Sequence, residues 1–478
     1  MGLSDLVRTI LGRRPVRMGD LAAEVVQRPR RIASPPEPDP LAGIEVLPEY
    51  VQVQELLDAN WPVTFVTGGA GTGKSTLIRY LQAATEHRMV VLAPTGVAAL
   101  NAGGVTIHSF CRLPPRIIQE SDVRPSRDRK LVRALDVMVL DEISMVRPDM
   151  LDAVDRFLRL TREEESPFGG VRMILMGDLF QLPPVVRPQE HQVLRAMGYG
   201  SDFFFAAKCL EQVSVAPVLL ERVFRQRDPE FITLLKDLRV GNNVRSALQR
   251  INGQAGAPPV DGPPELVLTS TNAGADQRNQ ERMASLPGAS RTYEGQATGR
   301  FSLKETKLPA PVNLELKVGA QVMFTKNDSQ KRWVNGTLGV VRELADDQVS
   351  VEVERDDIAR RYRVQRQTWE EFRYQYNSLT GEIDHEVTGT YVQFPLMLAW
   401  AVTIHKAQGK TLDRVLLDLG HGAFASGQVY VALSRVRSLN DLRLAGPVRE
   451  GDIRCDPEVA RFYQLMEETS HIPEEDEE

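Results

Sequence analysis

The sequence has little cysteine and no long apolar run, and these absences exclude several classes of protein. Its 478 residues include 3 cysteines, which lie far apart without CxxC spacing, so neither a disulfide framework nor a zinc module is supported. The most apolar stretch, 394–404, contains Pro395, Trp400 and Thr403 and is shorter than the roughly 18 residues of a membrane span. No secretory signal pattern opens the chain. We therefore expect a cytoplasmic protein with no membrane partner.

A net positive charge is also missing, because the formal net charge is −6. The last thirteen residues, 466–478, hold seven carboxylates and no Lys or Arg, so without them the sum changes from −6 to +1. The overall charge is therefore set by a tail. It does not exclude a nucleic-acid partner, since a cationic groove can lie in the folded part.

Apolar residues make up 42% of the chain and charged residues 26%, as in ordinary globular proteins, and the length predicts two to four domains. Residues 1–45 are rich in Arg and Pro, and we expect a flexible arm there. Beyond them, short apolar runs alternate with helix-like stretches, which predicts an α/β fold with a parallel sheet covered on both faces. The runs are Val63–Val66, Met89–Ala93, Val137–Leu140 and Val171–Met176.

A second region of the same type contains Leu266–Thr269, a helix-like stretch from Asn272, and Arg414–Leu419. Within it, residues 316–391 change to alternating β-branched residues with turn signals such as Asn335-Gly336. This pattern predicts a small β-rich insertion.

The strongest motif is a glycine-rich loop between an apolar strand-like run and a helix-like run. Glycines let the loop aim backbone N–H groups at phosphate oxygens, the lysine neutralises phosphate charge, and the serine hydroxyl binds Mg²⁺. A merely flexible loop is the weaker reading. The expected ATP-binding residues here are Gly68, Gly69, Ala70, Gly71, Thr72, Gly73, Lys74, Ser75 and Thr76.

Two further motifs follow strand-like runs at the expected carboxyl edge of the sheet. Asp141 can hold Mg²⁺ through its oxygen, and Glu142 can deprotonate the attacking water. After the next run, Gln181 has the neutral donor and acceptor groups that suit a γ-phosphate sensor. Each motif alone is common. Together, and after the glycine-rich loop in the sequence, they indicate a nucleotide-hydrolysing site.

Several other segments accompany these motifs in a fixed order. They are 93–99 (APTGVAA), 105–110 (VTIHSF), 224–226 (FRQ), 403–409 (TIHKAQG) and 431–435 (VALSR). Their order and spacing resemble superfamily-one DNA helicases, specifically the petite-integration-frequency (Pif-type) family with its RecD-like relatives. The resemblance covers about 47–444, which is most of the chain.

This resemblance implies two RecA-like P-loop cores with ATP in the cleft between them and single-stranded DNA across the top. The first core would span 46–215, with a short wedge-like insertion at 112–130, although a solvated charged loop is nearly as good a reading of that insertion. The second core would comprise 216–315 and 392–446. The β-rich insertion, 316–391, would be an SH3-like barrel, and 447–478 would form a C-terminal segment with the acidic tail.

The family likeness also assigns residues at the cleft. Gln52 resembles the glutamine that recognises adenine, with Gln54 as a close competitor. Arg225 and Arg435 resemble arginine fingers, which neutralise the γ-phosphate when the cores close. Gln408 and Gly409 would lie at the nucleotide.

The expected DNA contacts are hydroxyls, backbone amides and a lysine that reach phosphates and read no bases. His405 could instead be a buried structural histidine. Trp400 and Phe180 could stack on bases, but we favour a core role for both. The expected DNA-binding residues are Pro94, Thr95, Thr106, His108, Thr403, His405 and Lys406.

We therefore predict an ATP- and Mg²⁺-dependent helicase that moves 5′ to 3′ on single-stranded DNA and opens forked duplexes in replication, repair or recombination. The alternatives are a nucleotide-gated binding switch and a protein-stripping translocase. The presence of Glu142, Gln181 and Arg435 argues against the switch. We expect a monomer, with the arm and the tail as possible sites for protein partners.

Overall fold

The computed structural model describes residues 44–256, 265–301, 308–355, 358–377 and 379–470. Nearly all of the expected N-terminal arm and the last residues of the acidic tail lie outside these ranges. No helix within them is both long and apolar enough to cross a membrane.

The sheet of the first core is parallel and buried on both faces. Alternate residues of a strand point to opposite faces, so Met138 and Leu140 enter one apolar cluster while Val137 and Val139 enter another. Its strands are β1 (Val63–Gly68), β2 (Met89–Ala93), β3 (Val105–Thr106), β4 (Val137–Leu140), β5 (Arg172–Gly177) and β6 (Val215–Leu220). Their order is β3-β2-β4-β5-β1-β6.

Helices cover both faces of this sheet, as predicted for a doubly wound core. The sixth begins at Pro148, where a proline loses no hydrogen bond, and is followed by Glu163 in a left-handed conformation. The helices are α1 (Pro48–Asp58), α2 (Lys74–Ala84), α3 (Gly96–Ala102), α4 (Ile107–Cys111), α5 (Arg129–Ala134), α6 (Pro148–Arg162) and α7 (Pro188–Ala196).

The first sheet extends past the boundary predicted at 215, because β6 hydrogen-bonds in parallel to β1 along its whole length. The second core therefore begins after Leu220. Its helices are α8 (Pro229–Val240), α9 (Val244–Asn252), α10 (Asn272–Ser285), α11 (Ile404–Ala407) and α12 (Gln428–Leu433), and a last helix, α13, spans Pro457–Ser470.

The remaining strands divide between the second core and the insertion. They are β7 (Leu266–Thr269), β8 (Arg291–Glu294), β9 (Gln296–Gly299), β10 (Asn313–Leu316), β11 (Gln321–Phe324), β12 (Leu338–Leu344), β13 (Gln348–Arg355), β14 (Ile358–Gln365), β15 (Gln367–Tyr376), β16 (Ile383–Gln393), β17 (Leu396–Leu398), β18 (Ala401–Thr403), β19 (Val415–Asp418) and β20 (Leu442–Leu444). The second core contains the parallel sheet β18-β7-β19-β20.

The β-rich insertion is antiparallel and wider than the predicted 316–391. Its five-stranded sheet, β14-β13-β12-β11-β17, ends with a strand beyond 391, and β9 pairs with β16. Tyr293 and Leu314, from the paired β8 and β10, share an apolar cluster with Phe394. The prediction was too narrow because strands on both flanks supply partners that the central pattern does not reveal. The SH3-like barrel stays a prediction.

The long hairpin β15–β16 reaches from the insertion to the first core. The Tyr374 hydroxyl accepts a hydrogen bond from the Val91 amide at 3.0 Å. Phe372 and Ile383 pack against the apolar cluster of the first core. The insertion lies within the sequence of the second core, yet its hairpin contacts the first core.

The last helix, α13, also packs on the first core. The ring of Phe462 stacks on Phe205 at a centroid distance of 4.6 Å. The hydroxyls of Tyr463 and Thr67 are hydrogen-bonded, and Thr67 lies near the end of β1. Within the C-terminal segment predicted at 447–478, α13 is therefore part of the first core's packing, which the sequence analysis did not predict.

Candidate nucleotide and DNA site

The glycine-rich loop connects β1 to α2, as predicted. Gly73 stands at the helix N-cap with φ +94°, a conformation that favours glycine. Lys74 Nζ donates to the carbonyl oxygens of Gly68 and Gly69 at 2.8 and 2.9 Å, so the ammonium group lies inside the loop. Burial lowers the pKa of Lys74, and the carboxylates of Asp178 and Glu142 oppose that shift. The Ser75 side chain is exposed at the first turn.

The carboxylate pair follows β4 at the same edge of the sheet. Asp141 is buried and accepts a hydrogen bond from the Glu142 amide at 2.9 Å. Glu142 has a left-handed backbone with φ +52°, which is costly for a residue with a Cβ and directs the chain sharply at this point. Burial raises the pKa of both carboxyl groups, that of Asp141 to about 7. The hydroxyl and carboxylate oxygens of Ser75 and Asp141 are the ligand type that Mg²⁺ prefers.

Gln181 lies in the turn after β5 and bonds to a buried aspartate. Its Nε2 is 3.2 Å from Asp178 Oδ2. Asp178 also accepts from Arg239 of α8, with Nε at 3.0 Å. Burial acts to raise the pKa of Asp178, but Arg239 and Lys74 outweigh it and lower the pKa. No sequence pattern predicted Arg239, which is the main charged partner of Asp178.

Two predicted residues of the second core reach the first core directly. Gln408 Nε2 donates to Glu142 Oε2 at 3.2 Å. Arg225 lies beside the loop, because a Cβ placed on Gly71 would be 2.6 Å from the Arg225 Cβ. The Arg225 guanidinium donates to Thr411 Oγ1 and to the Ser434 carbonyl, each at 3.0 Å. The cleft is therefore lined by both cores, as the family resemblance implied.

Arg435 is 1% exposed, and its guanidinium is bonded within the second core. Nε donates to the Val431 carbonyl at 2.7 Å and Nη2 to Ser434 Oγ at 2.7 Å. Burial, followed by repulsion from Arg225, lowers the pKa of Arg435 to about 9. Its partners are neutral, so an incoming phosphate would not have to displace a carboxylate.

The other predicted nucleotide residues lie around the same loop. Gln52 is exposed on α1, whereas Gln54 accepts a hydrogen bond from the Tyr80 hydroxyl at 2.7 Å. Gln52 as the adenine-recognising residue stays a prediction, with Gln54 as its competitor. Thr72 Oγ1 donates to the Gly69 carbonyl at 2.9 Å, and Gly409 has φ +78° directly after Gln408.

Three of the predicted DNA-binding residues share one local geometry. Thr106 and Thr403 are the last residues of their strands and Thr95 lies two residues after β2, and each caps the next helix by accepting a backbone amide hydrogen bond, at 3.2 Å for Thr95, 3.1 Å for Thr106 and 3.3 Å for Thr403. A hydroxyl that accepts one hydrogen bond can still donate its own proton to a phosphate oxygen. Because the strands are parallel within each core, these threonines lie at the carboxyl edges of the sheets. Pro94 precedes Thr95 in the same connection.

The remaining predicted DNA residues flank these caps. His108 and His405 are half-buried, and Lys406 is exposed. The His405 ring is parallel to that of Phe424 within 14° at 6.3 Å, and burial lowers the pKa of His405. Phe424 is 57% exposed, so it extends this surface outwards.

Other residues discussed from sequence have mainly structural partners. The Phe180 ring stacks on Tyr463 at 4.9 Å and is buried, while Trp400 packs against the apolar cluster of the insertion. Phe180 thus lies in a core, whereas Trp400 is only partly buried, and its role stays a prediction. In the segment 112–130, Arg116 pairs with Asp122 and Arg129 with Glu163, each at 2.6 Å. These pairs neutralise part of its positive charge.

The sequence reasoning missed a contact between the insertion and the second core. Lys410 Nζ donates to Asn335 Oδ1 in the predicted Asn-Gly turn, and a Cβ on Gly336 would be 3.1 Å from the Thr411 carbonyl oxygen. Burial lowers the pKa of Lys410 to about 8. The insertion therefore contacts the segment that carries Gln408 and Gly409.

Comparison with known proteins decides the family. A profile of PIF1-like helicases matches residues 50–247. The ATP-dependent DNA helicase Pif1 of Bdellovibrio bacteriovorus is 35% identical over 440 residues, which cover 90% of this chain and 94% of that protein. The chain belongs to the Pif1-like helicase family. Human ATP-dependent DNA helicase PIF1 is also 35% identical, over 84% of this chain and 61% of its own length.

A solved structure of the same family supports the fold. Bacteroides Pif1 in complex with ADP-AlF4 aligns with a TM-score of 0.81 at 34% identity, over 89% of this chain and 98% of that one. The α/β architecture with parallel-sheet cores is thereby confirmed. This Pif1-like helicase therefore shares its overall architecture with that structure over 89% of the chain.

Proposed function

We propose that this chain is an ATP-dependent DNA helicase that translocates 5′ to 3′ along single-stranded DNA and separates duplexes. The observation that carries the proposal is the 3.2 Å hydrogen bond from Gln408 to Glu142. It joins the nucleotide-facing segment of one core to the expected catalytic base of the other. Family membership and the 94% coverage of the Bdellovibrio helicase support the same activity.

Hydrolysis follows from the groups at the cleft. Lys74 neutralises the phosphate charge, and Glu142, whose pKa is raised by burial, takes the proton of the attacking water. Arg225 and Arg435 neutralise the charge that spreads over the γ-phosphate oxygens in the transition state. Ser75 and Asp141 would hold a Mg²⁺ ion, which would supply further neutralisation of the phosphate charge.

Movement requires each core to hold the DNA backbone in turn. Thr95 and Thr106 belong to the first core, whereas Thr403 and Lys406 belong to the second. Closure on ATP brings the two sets together, and reopening after hydrolysis separates them. Because hydroxyls and a lysine contact phosphates, the grip is indifferent to base sequence.

The cellular setting is part of the proposal. Separation of forked duplexes is a step that DNA replication, repair and recombination all need, and we place the enzyme among those processes. A single chain supplies both sides of the cleft through Glu142 and Gln408, which supports action as a monomer.

The test is strand displacement with ATP and Mg²⁺ on two duplexes that differ only in carrying a 5′ or a 3′ single-stranded tail. We expect the 5′-tailed duplex alone to be opened. Glu142→Gln is the matched control, since it keeps the fold and removes the base. Equal opening of both duplexes, or preference for the 3′ tail, would contradict the polarity. A lack of sustained DNA-stimulated phosphate release would instead favour a nucleotide-gated switch.

A further inference from the structure

Tyr430 of the second core connects two motifs of the first core. It lies on α12, five residues before Arg435, and is 5% exposed. Its hydroxyl accepts a hydrogen bond from the Ala70 amide in the glycine-rich loop at 2.8 Å. The same hydroxyl donates to Asp178 Oδ2 at 3.2 Å. The Tyr430 hydroxyl thus bonds to Ala70, which lies 360 positions earlier in the sequence, and this bond crosses the cleft between the cores.

Asp178 is the centre of this connection. Its carboxylate is fully buried and accepts from Tyr430 and Arg239 of the second core and from Gln181 of the first. The Arg239 guanidinium lies over the Phe180 ring at 4.7 Å, which fixes the turn that carries Gln181. A buried carboxylate with several donors at fixed positions holds those donors in one arrangement.

We propose that Tyr430 is a positioning residue for ATP hydrolysis, because its hydroxyl ties the glycine-rich loop to Asp178 and thereby to Gln181. The helix that carries Tyr430 ends at Leu433, two residues before Arg435. Closure that brings Arg435 to the nucleotide therefore also fixes the loop and the γ-phosphate sensor. This inference rests on the ATP hydrolysis proposed above.

The geometry separates this role from substrate binding. The hydroxyl accepts from one backbone amide of the loop, that of Ala70, whereas the Lys74 ammonium group, which meets the phosphate charge, is held by the carbonyl oxygens of Gly68 and Gly69. Loss of the hydroxyl should therefore leave ATP binding nearly intact. It should impair the arrangement needed in the transition state, which lowers kcat more than it raises KM.

Tyr430→Phe tests the inference, because it removes one oxygen atom and keeps the ring. With saturating single-stranded DNA, we expect kcat for ATP to fall by roughly tenfold to a hundredfold, the range for a lost hydrogen bond to a buried charge, with KM changing by less than about threefold. Tyr199→Phe is the matched control. It removes another tyrosine hydroxyl, which donates to Asp152 at 2.8 Å in the first core, and kcat should not change.

A double variant separates positioning from general damage. Asp178→Asn and Tyr430→Phe should each lower kcat, and together they should lower it little more than the worse of the two, because both break the same link. Wild-type hydrolysis measured alongside shows whether the proposed activity itself holds. The inference is overturned if Tyr430→Phe keeps its kcat, if KM accounts for its whole loss, if Tyr199→Phe is equally impaired, or if the two effects multiply.

Discussion

The two cores present the same four residues, Val-Thr-Ile-His, at 105–108 and 402–405, in nearly the same conformation. The capping threonines have φ and ψ of −76° and 147° in the first core and −76° and 151° in the second. Ile107 and Ile404 are both fully buried. Two cores with different sheets thus place a hydroxyl in the same way at the carboxyl edge of each sheet, where we propose that DNA binds.

The difference lies in what surrounds this shared unit. The next residue is exposed in both cores, but it is Ser109 in the first and Lys406 in the second. The phosphate-binding loop and the base Glu142 lie in the first core, whereas Arg435 lies in the second. In the proposed mechanism, the first core therefore binds the nucleotide and supplies the base, while the second supplies the charges that act on closure.

The largest effect should come from Arg435→Ala, which tests whether the second core supplies a charge for hydrolysis. Because its charge is supplied only on closure, kcat with saturating single-stranded DNA should fall about 10³-fold, near the lower end for arginine fingers because Arg225 also acts. Nucleotide binding, measured at equilibrium, should be nearly normal. A variant that keeps kcat while KM rises would make Arg435 a ground-state binder. A melting curve excludes unfolding, since the side chain is buried.

The first core should respond differently to two substitutions. Glu142→Gln removes the base but keeps the shape, so turnover should fall by about 10² or more while ATP still binds. Lys74→Ala should instead weaken nucleotide binding, because the phosphate loses its cation. Steady-state hydrolysis beside equilibrium binding distinguishes the two. Near-wild-type hydrolysis by Glu142→Gln would remove the assigned base.

A smaller effect, on DNA affinity, should distinguish the residues that follow the two Val-Thr-Ile-His segments. Lys406→Ala should lower affinity for unrelated oligonucleotides by a similar factor and reduce the salt slope by about 0.7, the value for one phosphate contact on a single strand. Ser109→Ala at the corresponding position should leave the slope unchanged. The measurement is binding of labelled oligonucleotides over a salt series. A loss confined to one sequence would contradict phosphate contact.

The smallest effect should come from the caps themselves. Thr106→Val and Thr403→Val each remove a hydroxyl that caps a helix, and each should lower the free energy of unfolding by about 1 kcal/mol. If the two units are equivalent, both variants should also weaken DNA binding to the same extent. Denaturant unfolding and DNA titration measure the two effects. Unequal DNA losses with equal stability losses would show that only one core uses its threonine on DNA.

Much of the two cores could be predicted from the sequence, because buried parallel strands are short apolar runs with sharp ends. The bounds predicted for Met89–Ala93, Val137–Leu140 and Leu266–Thr269 are those of the structure. The glycine-rich loop and the carboxylate pair could be found because each has a fixed spacing after such a strand. The family resemblance then supplied Gln408 and Arg225, which the structure brings to the first core.

What could not be predicted depends on contacts between distant segments. Tyr430 and Ala70 are hydrogen-bonded although they lie 360 positions apart, and the periodicity of helices and strands cannot predict such a bond. The strands β8 to β10 are short and largely polar, so their pairing partners are not visible in the sequence. One signal was available for α13, since Val459, Phe462 and Met466 are spaced as one apolar helix face, which predicts a buried docking surface.

The docking of α13 on the first core limits how the cleft can open. The chain passes from the first core to the second after β6 and returns to the first at Phe462 and Tyr463. The polypeptide chain therefore links the second core to the first at two separate points, and the hairpin β15–β16 adds a non-covalent contact. Two tethers define an axis, so opening should be a rotation about the line through them, with the DNA-facing edges sweeping an arc instead of drawing straight apart. The length of each step along DNA would then depend on the distance of the threonine caps from that axis.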